Sequence, residues 1–136
     1  MLRLLGDLAA PGEPGLAPER AARTIARMAE YPDYAVYVAV EDGAAVGTFA
    51  LLVMDNLGHG GAPEGIVENV VVEASRRGRG IGAAMMRFAM ARCAESGCYK
   101  LALSSNLRRE AAHRFYERLG FEPAGALTYR WRRAPK

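Results

Sequence analysis

The sequence predicts an α+β fold built on a mixed, mostly antiparallel sheet with flanking helices, and three observations carry that prediction. Two runs of strand formers, residues 34–40 and 45–53, flank the turn signal Glu41-Asp42-Gly43, the signature of an antiparallel hairpin. A β-branched run at 66–72, helical spacing at 81–96 and a short apolar run at 99–104 make a βαβ unit, whose strands lie parallel through a right-handed crossover. The 136 residues, 51% hydrophobic and 24% charged, fit one compact domain, 1–136, around a single core.

At the N-terminus, Leu2, Leu4, Leu5 and Leu8 fall at helical spacing, so residues 2–9 are expected to form a helix cut short by Pro11-Gly12-Glu13-Pro14-Gly15. Pro18 suits the first turn of a second helix over 18–30. There Arg20, Arg23, Arg27 and Glu30 form the polar face and Ala21, Ala22, Ile25, Met28 and Ala29 the apolar one. After the hairpin, residues 55–63 hold many turn formers and no periodicity, which predicts a mobile loop. His59 lies in it, either as an exposed loop histidine or as a substrate contact.

Helix 81–96 presents Ile81, Met85, Phe88 and Ala89 along one side, widened by Met86, Met90 and Cys93, and Gly97 ends it. From Asn106 the chain enters a helix over 109–119, with Ala111, Phe115 and Leu119 expected to face the sheet and Gly120 to stop it. Residues 121–123 and 127–132 are expected to be two closing strands.

The net charge of +3 is too small, and the basic residues too interspersed with acids, to argue for nucleic acid. Cys93 and Cys98 are too few for a disulfide framework and have no metal-ligand spacing with His59 or His113. No metal is expected. The apolar N-terminal segment is interrupted by Asp7 and is too short for a signal or membrane segment. A soluble protein in the reducing cytoplasm is the simplest setting.

The chemistry is concentrated in residues 70–82. Val70, Val71 and Val72 run into Glu73-Ala74-Ser75-Arg76-Arg77-Gly78-Arg79-Gly80-Ile81-Gly82, a strand followed by a glycine-rich turn that opens a helix. Glycines at alternate positions let successive N–H groups converge on an anion, and the helix start adds its positive dipole end. Arg76, Arg77 and Arg79 place cations where the dipole disfavours them, and a bound anion would relieve that conflict. Gly82 is followed by Ala83-Ala84 rather than Lys-Ser/Thr, which argues against a Walker A loop. Ala83 in the third glycine slot, and no acid near Ser104, argue against a dinucleotide fingerprint. A glycine-softened turn with solvated arginines is the remaining alternative.

Two stretches together resemble the GNAT N-acetyltransferase superfamily. Arg77-x-x-Gly80-x-Gly82 is similar to the family's Gln/Arg-x-x-Gly-x-Gly/Ala acetyl-coenzyme A loop. Residues 112–121, Ala-His-Arg-Phe-Tyr-Glu-Arg-Leu-Gly-Phe, are similar to its later Phe-Tyr-x-x-x-Gly-Phe helix. The resemblance covers about residues 34–125. It implies that the backbone of Val70, Val71 and Val72 binds the pantetheine arm where this strand splays from the 99–104 side. It also implies that Arg77, Gly78, Arg79, Gly80, Ile81, Gly82 and Ala83 hold the pyrophosphate, and that Asn106 contacts the cofactor near its thiol end. Tyr116 matches the family tyrosine that protonates the departing thiolate; the alternative is a tyrosine packed on the sheet.

The resemblance further implies an acid on the strand before the valines that takes the proton of the acceptor amine. Glu68 fits that role, directly or through water, with a structural carboxylate as the alternative. Strict alternation puts Glu68 on the face of Val70 and Val72 and opposite Asn69. Asn69, His59 and Ser104 are substrate-binding candidates, and His113, one turn before Tyr116, is expected to be structural. Segments 68–72 and 98–100 are similar to glucosamine-6-phosphate N-acetyltransferases. Segments 105–109 and 112–116 are similar to aminoalkylphosphonate N-acetyltransferases.

Direct acetyl transfer from acetyl-coenzyme A, as cosubstrate, to a primary amine of a small molecule is therefore the leading expectation. Acetylation of a protein amine and a non-catalytic acyl-coenzyme A sensor are the alternatives. The family's usual first strand is missing here: the start was assigned late, the strand is absent, or another chain supplies that edge. A homodimer is expected on that ground.

Overall fold

The computed structural model describes residues 1–9 and 12–135. Pro11, expected at the break after the first helix, lies outside them. The chain divides into two compact units, Met1–Ser104 and Ser105–Lys136.

The first unit is a four-stranded sheet in the order β1-β2-β3-β4, formed by β1 (Tyr34–Glu41), β2 (Ala44–Met54), β3 (Glu64–Val72) and β4 (Lys100–Ala102). The first two pairings are antiparallel and the β3–β4 pairing is parallel, as the βαβ reading requires. Asp42 and Gly43 both adopt positive φ, 52° and 76°, and make the two-residue hairpin turn whose twist matches the strands it joins.

The predicted first helix is divided. α1 covers Leu2–Leu5 and a 3₁₀ turn continues over Gly6–Leu8; Leu4 is its buried anchor, 1% exposed. α2 spans Pro18–Met28 with proline in its first turn. α3 runs Ile81–Glu95 and buries Met85, Met86, Ala89 and Cys93. These packing positions agree with core rather than cofactor roles for the methionines.

The two sheet faces are covered differently. A Cβ at Gly47 would meet Met85 Sδ at 2.9 Å, and one at Gly65 would meet Cys93 Sγ at 2.3 Å. Those glycines therefore let α3 seat directly on the sheet. Phe49 extends the same face, stacked on Tyr37 at 5.2 Å and edge-on to Phe88 at 6.4 Å. α1 and α2 line the other face beside Thr48 and Ala50. Burial pushes the Cys93 thiol up to about 12, so it remains a neutral packing group.

The second unit contains α4 (Glu110–Arg118). Tyr116 is flanked there by the rings of Phe115 at 5.1 Å and Phe121 at 5.7 Å. Ala111, expected on the packed face, is exposed. The two predicted closing strands do not form: residues 121–135 contain no strand. Leu127, Tyr129 and Trp131 keep the alternation that suggested one, but they are 81–87% exposed. Alternation makes a strand only where a neighbouring strand accepts its backbone hydrogen bonds.

Candidate active site

β3 carries the irregularity that defines the site. Ala50 pairs with Glu68 and Thr48 with Val71, so Asn69 and Val70 together oppose Phe49. This is a β-bulge with one extra residue on β3. Asn69 makes it possible by adopting φ 57°, a left-handed conformation that asparagine tolerates better than most residues.

The bulge corrects the alternation expected for this strand. Glu68 pairs with Ala50 and Val72 with Gly47, and those two positions lie on opposite faces of β2. Glu68 therefore projects on the α1–α2 face, opposite Val72 and α3. Its carboxylate is exposed and has no hydrogen-bond or ion-pair partner among the described residues.

β3 and β4 pair only over Glu64–Lys100, Gly65–Leu101 and Ile66–Ala102. Beyond Ile66 that edge of β3 has no strand partner among the described residues, and it continues through Val70, Val71 and Val72 into the glycine turn. Gly78 and Gly80 hold φ 79° and 85°, and a Cβ on either would meet nothing within 4 Å. Backbone conformation, rather than crowding, demands glycine here. Gly80 is the left-handed N-cap of α3 and no side chain caps it. The first amides of α3, including those of Ile81, Gly82 and Ala83, therefore lack intrahelical partners and suit an anion.

The arginines of this turn already face carboxylates. Arg76 pairs with Glu41 and lies 3.7 Å from Glu73, Arg79 reaches Glu41 at 3.4 Å, and Arg77 reaches Asp7 at 3.9 Å. Arg77 Nε also donates to the Val72 carbonyl at 3.1 Å. Arg3 binds Glu73 at 2.5 Å, and this hydrogen bond holds the Glu73 carboxyl below its ordinary value. The conflict with the helix dipole is thus met in part by the neighbouring Glu73 and in part by carboxylates distant in sequence, Asp7 of the 3₁₀ turn after α1 and Glu41 at the end of β1. Arg77 and Arg79 remain more than half exposed.

The other candidates fall into separate groups. His59 stacks on Tyr99 at 3.9 Å, with the rings 14° from parallel. Tyr99 donates to Glu64 at 3.4 Å and Lys100 approaches the same carboxylate at 3.5 Å, so His59 belongs to a polar cluster at the start of β3, away from the bulge. Ser104 is exposed at the end of the first unit.

Asn106 and Tyr116 belong to the second unit. Asn106 Oδ1 accepts from the Arg108 amide at 2.9 Å, and its carbonyl accepts from His113 Nε2 at 2.7 Å. His113 therefore pins the turn before α4, the structural role expected of it. Burial raises the Tyr116 hydroxyl above its ordinary value, partly opposed by Arg109. Ser105 carries no motif signal in the sequence, and its Oγ is buried without a hydrogen-bond partner among the described residues.

A cavity of about 180 Å³ lies on the Glu68 face, between α1, α2 and the sheet, and Asn69 of the bulge lines it. A larger one, about 350 Å³, lies between β1 and α3 and is lined by Tyr37, Val40, Phe49, Met85 and Phe88. It occupies the opposite face from Glu68.

The model of the acetyltransferase (GNAT) family matches residues 3–121 of the chain. Glucosamine 6-phosphate N-acetyltransferase of Trypanosoma brucei brucei is 38% identical over 79 residues, 58% of this chain and 52% of that protein. The chain thus spans about half the length of that relative. A rice (Oryza sativa subsp. japonica) protein described as a probable glucosamine 6-phosphate N-acetyltransferase 2 is 35% identical over 117 residues, 82% of this chain and 69% of its own. Among solved structures, an Agrobacterium tumefaciens str. C58 protein assigned as an acetyltransferase superposes with a TM-score of 0.87 and 34% identity, covering 97% of this chain and 90% of its own. The bulged β3, its free edge and the glycine turn before α3 occur in a chain matched over nearly its whole length by one family, and the chain belongs to the acetyltransferase (GNAT) family.

Proposed function

We propose that the protein is an acetyl-coenzyme A-dependent N-acetyltransferase that passes acetyl directly to the primary amine of a small molecule. The observation that carries this reading is the edge of β3, released from β4 beyond Ile66 and running into the Gly78–Gly80 turn at the start of α3. An amide-bearing arm can pair with such an edge as a peptide strand would, and a pyrophosphate suits the amides that follow. Val70, Val71 and Val72 would hold the arm. Arg77, Gly78, Arg79, Gly80, Ile81, Gly82 and Ala83 would hold the phosphates, and Asn106 the thiol end. When bound, acetyl-coenzyme A supplies an activated acyl carbon and a thiolate leaving group.

The protein's part is proton handling. A lysine-like amine with pKa about 10.4 costs about 4.6 kcal/mol to deprotonate at pH 7. Glu68, exposed beside the bulge and without a partner among the described residues, accepts that proton directly or through water. Tyr116 holds its proton at Oη. From ordinary values, full transfer from a tyrosine to a thiolate is uphill by about 1.5 units, roughly 2 kcal/mol. Burial of Tyr116 raises its hydroxyl further and increases that gap, so Tyr116 acts chiefly as a hydrogen-bond donor to developing charge. Tyr116→Phe is expected to lower kcat about 10²-fold while leaving the dissociation constant for acetyl-coenzyme A within about twofold. The alkaline limb of the wild-type kcat profile should lie above pH 10, because the raised hydroxyl stays protonated through the ordinary tyrosine range.

The deciding experiment is titration with acetyl-coenzyme A by calorimetry, together with thiol release over a panel of amino sugars, aminophosphonates, alkyl and aryl amines and peptides. Gly78→Ala with Gly80→Ala should weaken cofactor binding about tenfold or more, since each alanine is forced into a left-handed conformation costing about 1–2 kcal/mol. Wild-type protein that fails to bind acetyl-coenzyme A would end the proposal. Association of two copies belongs to the same reading: Val38 and Val40 on the free edge strand β1 are 41% and 66% exposed, a surface that favours pairing.

A further inference from the structure

The cavity on the α1–α2 face is walled by Leu5, Leu16, Ile25, Met28 and Val36, and Asn69 of the bulge borders it. Among the described residues that line it there is no charged side chain; its polar side chains are those of Thr24, Tyr34, Thr48 and Asn69, and Met1, which bears the α-amino group, lines it as well. Thr48 is its most buried hydroxyl, and that group is already spent on the Tyr37 carbonyl at 2.8 Å. Leu16 and Ile25 are 43% and 39% exposed, so apolar surface extends to the side of the cavity that meets water.

The bulge sets what can occupy this space. Because Glu68 pairs with Ala50, the proposed base projects on the same face as the cavity, and Ala50 and Asn69 both line it. Glu68 itself is not among the lining residues, but its neighbour Asn69 and its cross-strand partner Ala50 are, so an amine whose nitrogen lies against Glu68 has this cavity beside it to take the rest of its molecule. A phosphate or phosphonate carried there would leave water without meeting a lysine, arginine or histidine side chain, a costly transfer for an anion. An apolar body would instead cover Leu16 and Ile25 and gain from leaving water.

We propose, resting on the N-acetyltransferase reading above, that the acceptor is a primary amine on an uncharged apolar body, a short alkyl or arylalkyl amine. This acceptor class differs from the sugar phosphate in the names of the curated relatives. The arginines of the glycine turn do not rescue a phosphorylated acceptor, since they stand at the start of α3, where the proposed cofactor's pyrophosphate would engage them, and none lines this cavity.

The test is the specificity constant for thiol release with acetyl-coenzyme A and four amines: phenethylamine, hexylamine, glucosamine 6-phosphate and aminomethylphosphonate. The apolar amines are expected to exceed the anionic ones at least tenfold in kcat/KM. Ile25→Lys places a cation at the partly exposed wall, where the fold tolerates a long polar side chain. It is expected to raise KM for phenethylamine about tenfold with the dissociation constant for acetyl-coenzyme A and the melting temperature held. Ile25→Met should restore the wild-type KM if the lysine variant misfolds or misbinds.

A preference for either anionic amine, unaffected by Ile25→Lys, overturns the apolar acceptor and leaves the N-acetyltransferase reading standing. If, with hexanoyl-coenzyme A run as a second donor, Ile25→Lys alters only the turnover of that donor and leaves KM for phenethylamine unchanged, the cavity holds the acyl chain and the proposal also fails. Tight binding of acetyl-coenzyme A with no turnover on any amine or peptide removes the enzyme reading itself, and the acceptor with it.

Discussion

Replacing Glu68 with glutamine is expected to lower kcat about 10²- to 10³-fold at pH 7, about 3–4 kcal/mol of barrier. Glutamine has the same shape as glutamate but no longer accepts a proton at neutral pH. Because the Glu68 carboxylate is exposed and has no partner among the described residues, the change removes no ion pair among them and should leave the melting temperature within about a degree. The loss is bounded by the roughly 4.6 kcal/mol needed to deprotonate a lysine-like amine at pH 7. It should also shrink with pH, since the free-amine fraction grows about tenfold per unit until the amine's own pKa. Steady-state kinetics between about pH 7 and pH 10 checks this, and the ratio of wild-type to variant kcat should narrow steadily. A ratio that stays near one across the range would show that Glu68 accepts no proton in the rate-limiting step. A ratio that stays large and constant would assign Glu68 to binding.

Elements that depend on local pattern were legible in the sequence: the hairpin around Asp42 and Gly43, the βαβ unit, the amphipathic α2 and the glycine turn before α3. Each is dictated by a periodicity or by a residue whose backbone preference is strong. What the pattern concealed depends on partners. Period-two alternation placed Glu68 with Val70 and Val72, but one extra residue at Asn69 reverses the parity of the strand. The available signal was the asparagine itself, placed before a valine run where a β-former would be expected. The arginines of the turn read as cations in conflict with the helix dipole, with solvated arginines as the alternative, because Asp7 and Glu41 meet them only after folding. Leu127, Tyr129 and Trp131 read as a strand because alternation records a capacity to pair, and among the described residues no strand pairs with them. The division between Ser104 and Ser105 has no composition shift to announce it.

The largest expected effect on stability is at Gly65, whose absent side chain is filled by Cys93 of α3. A Cβ there would lie 2.3 Å from Cys93 Sγ and 3.0 Å from Leu101 Cδ1. The first contact is impossible without movement, and both neighbours belong to elements packed on β3. Gly65→Ala is therefore expected to cost about 1–3 kcal/mol, and Gly65→Val more, by overpacking. A fall in melting temperature of about 5 °C or more should follow for a domain of this size. Cys93→Ala alone leaves a small void, yet joined to Gly65→Ala it removes the sulfur that the new methyl group strikes. The double variant should then be more stable than the sum of the single losses predicts, with a coupling of about 0.5–3 kcal/mol between contacting residues. Gly65 also pairs with Leu101 at the last stretch where β3 and β4 remain joined, and α3 continues from this seat back to the glycine turn. Displacing α3 should therefore weaken acetyl-coenzyme A binding in the Gly65→Ala protein that remains folded. Restored binding in the double variant would trace that loss to the seat of the helix, whereas strictly additive melting shifts would place the strain elsewhere.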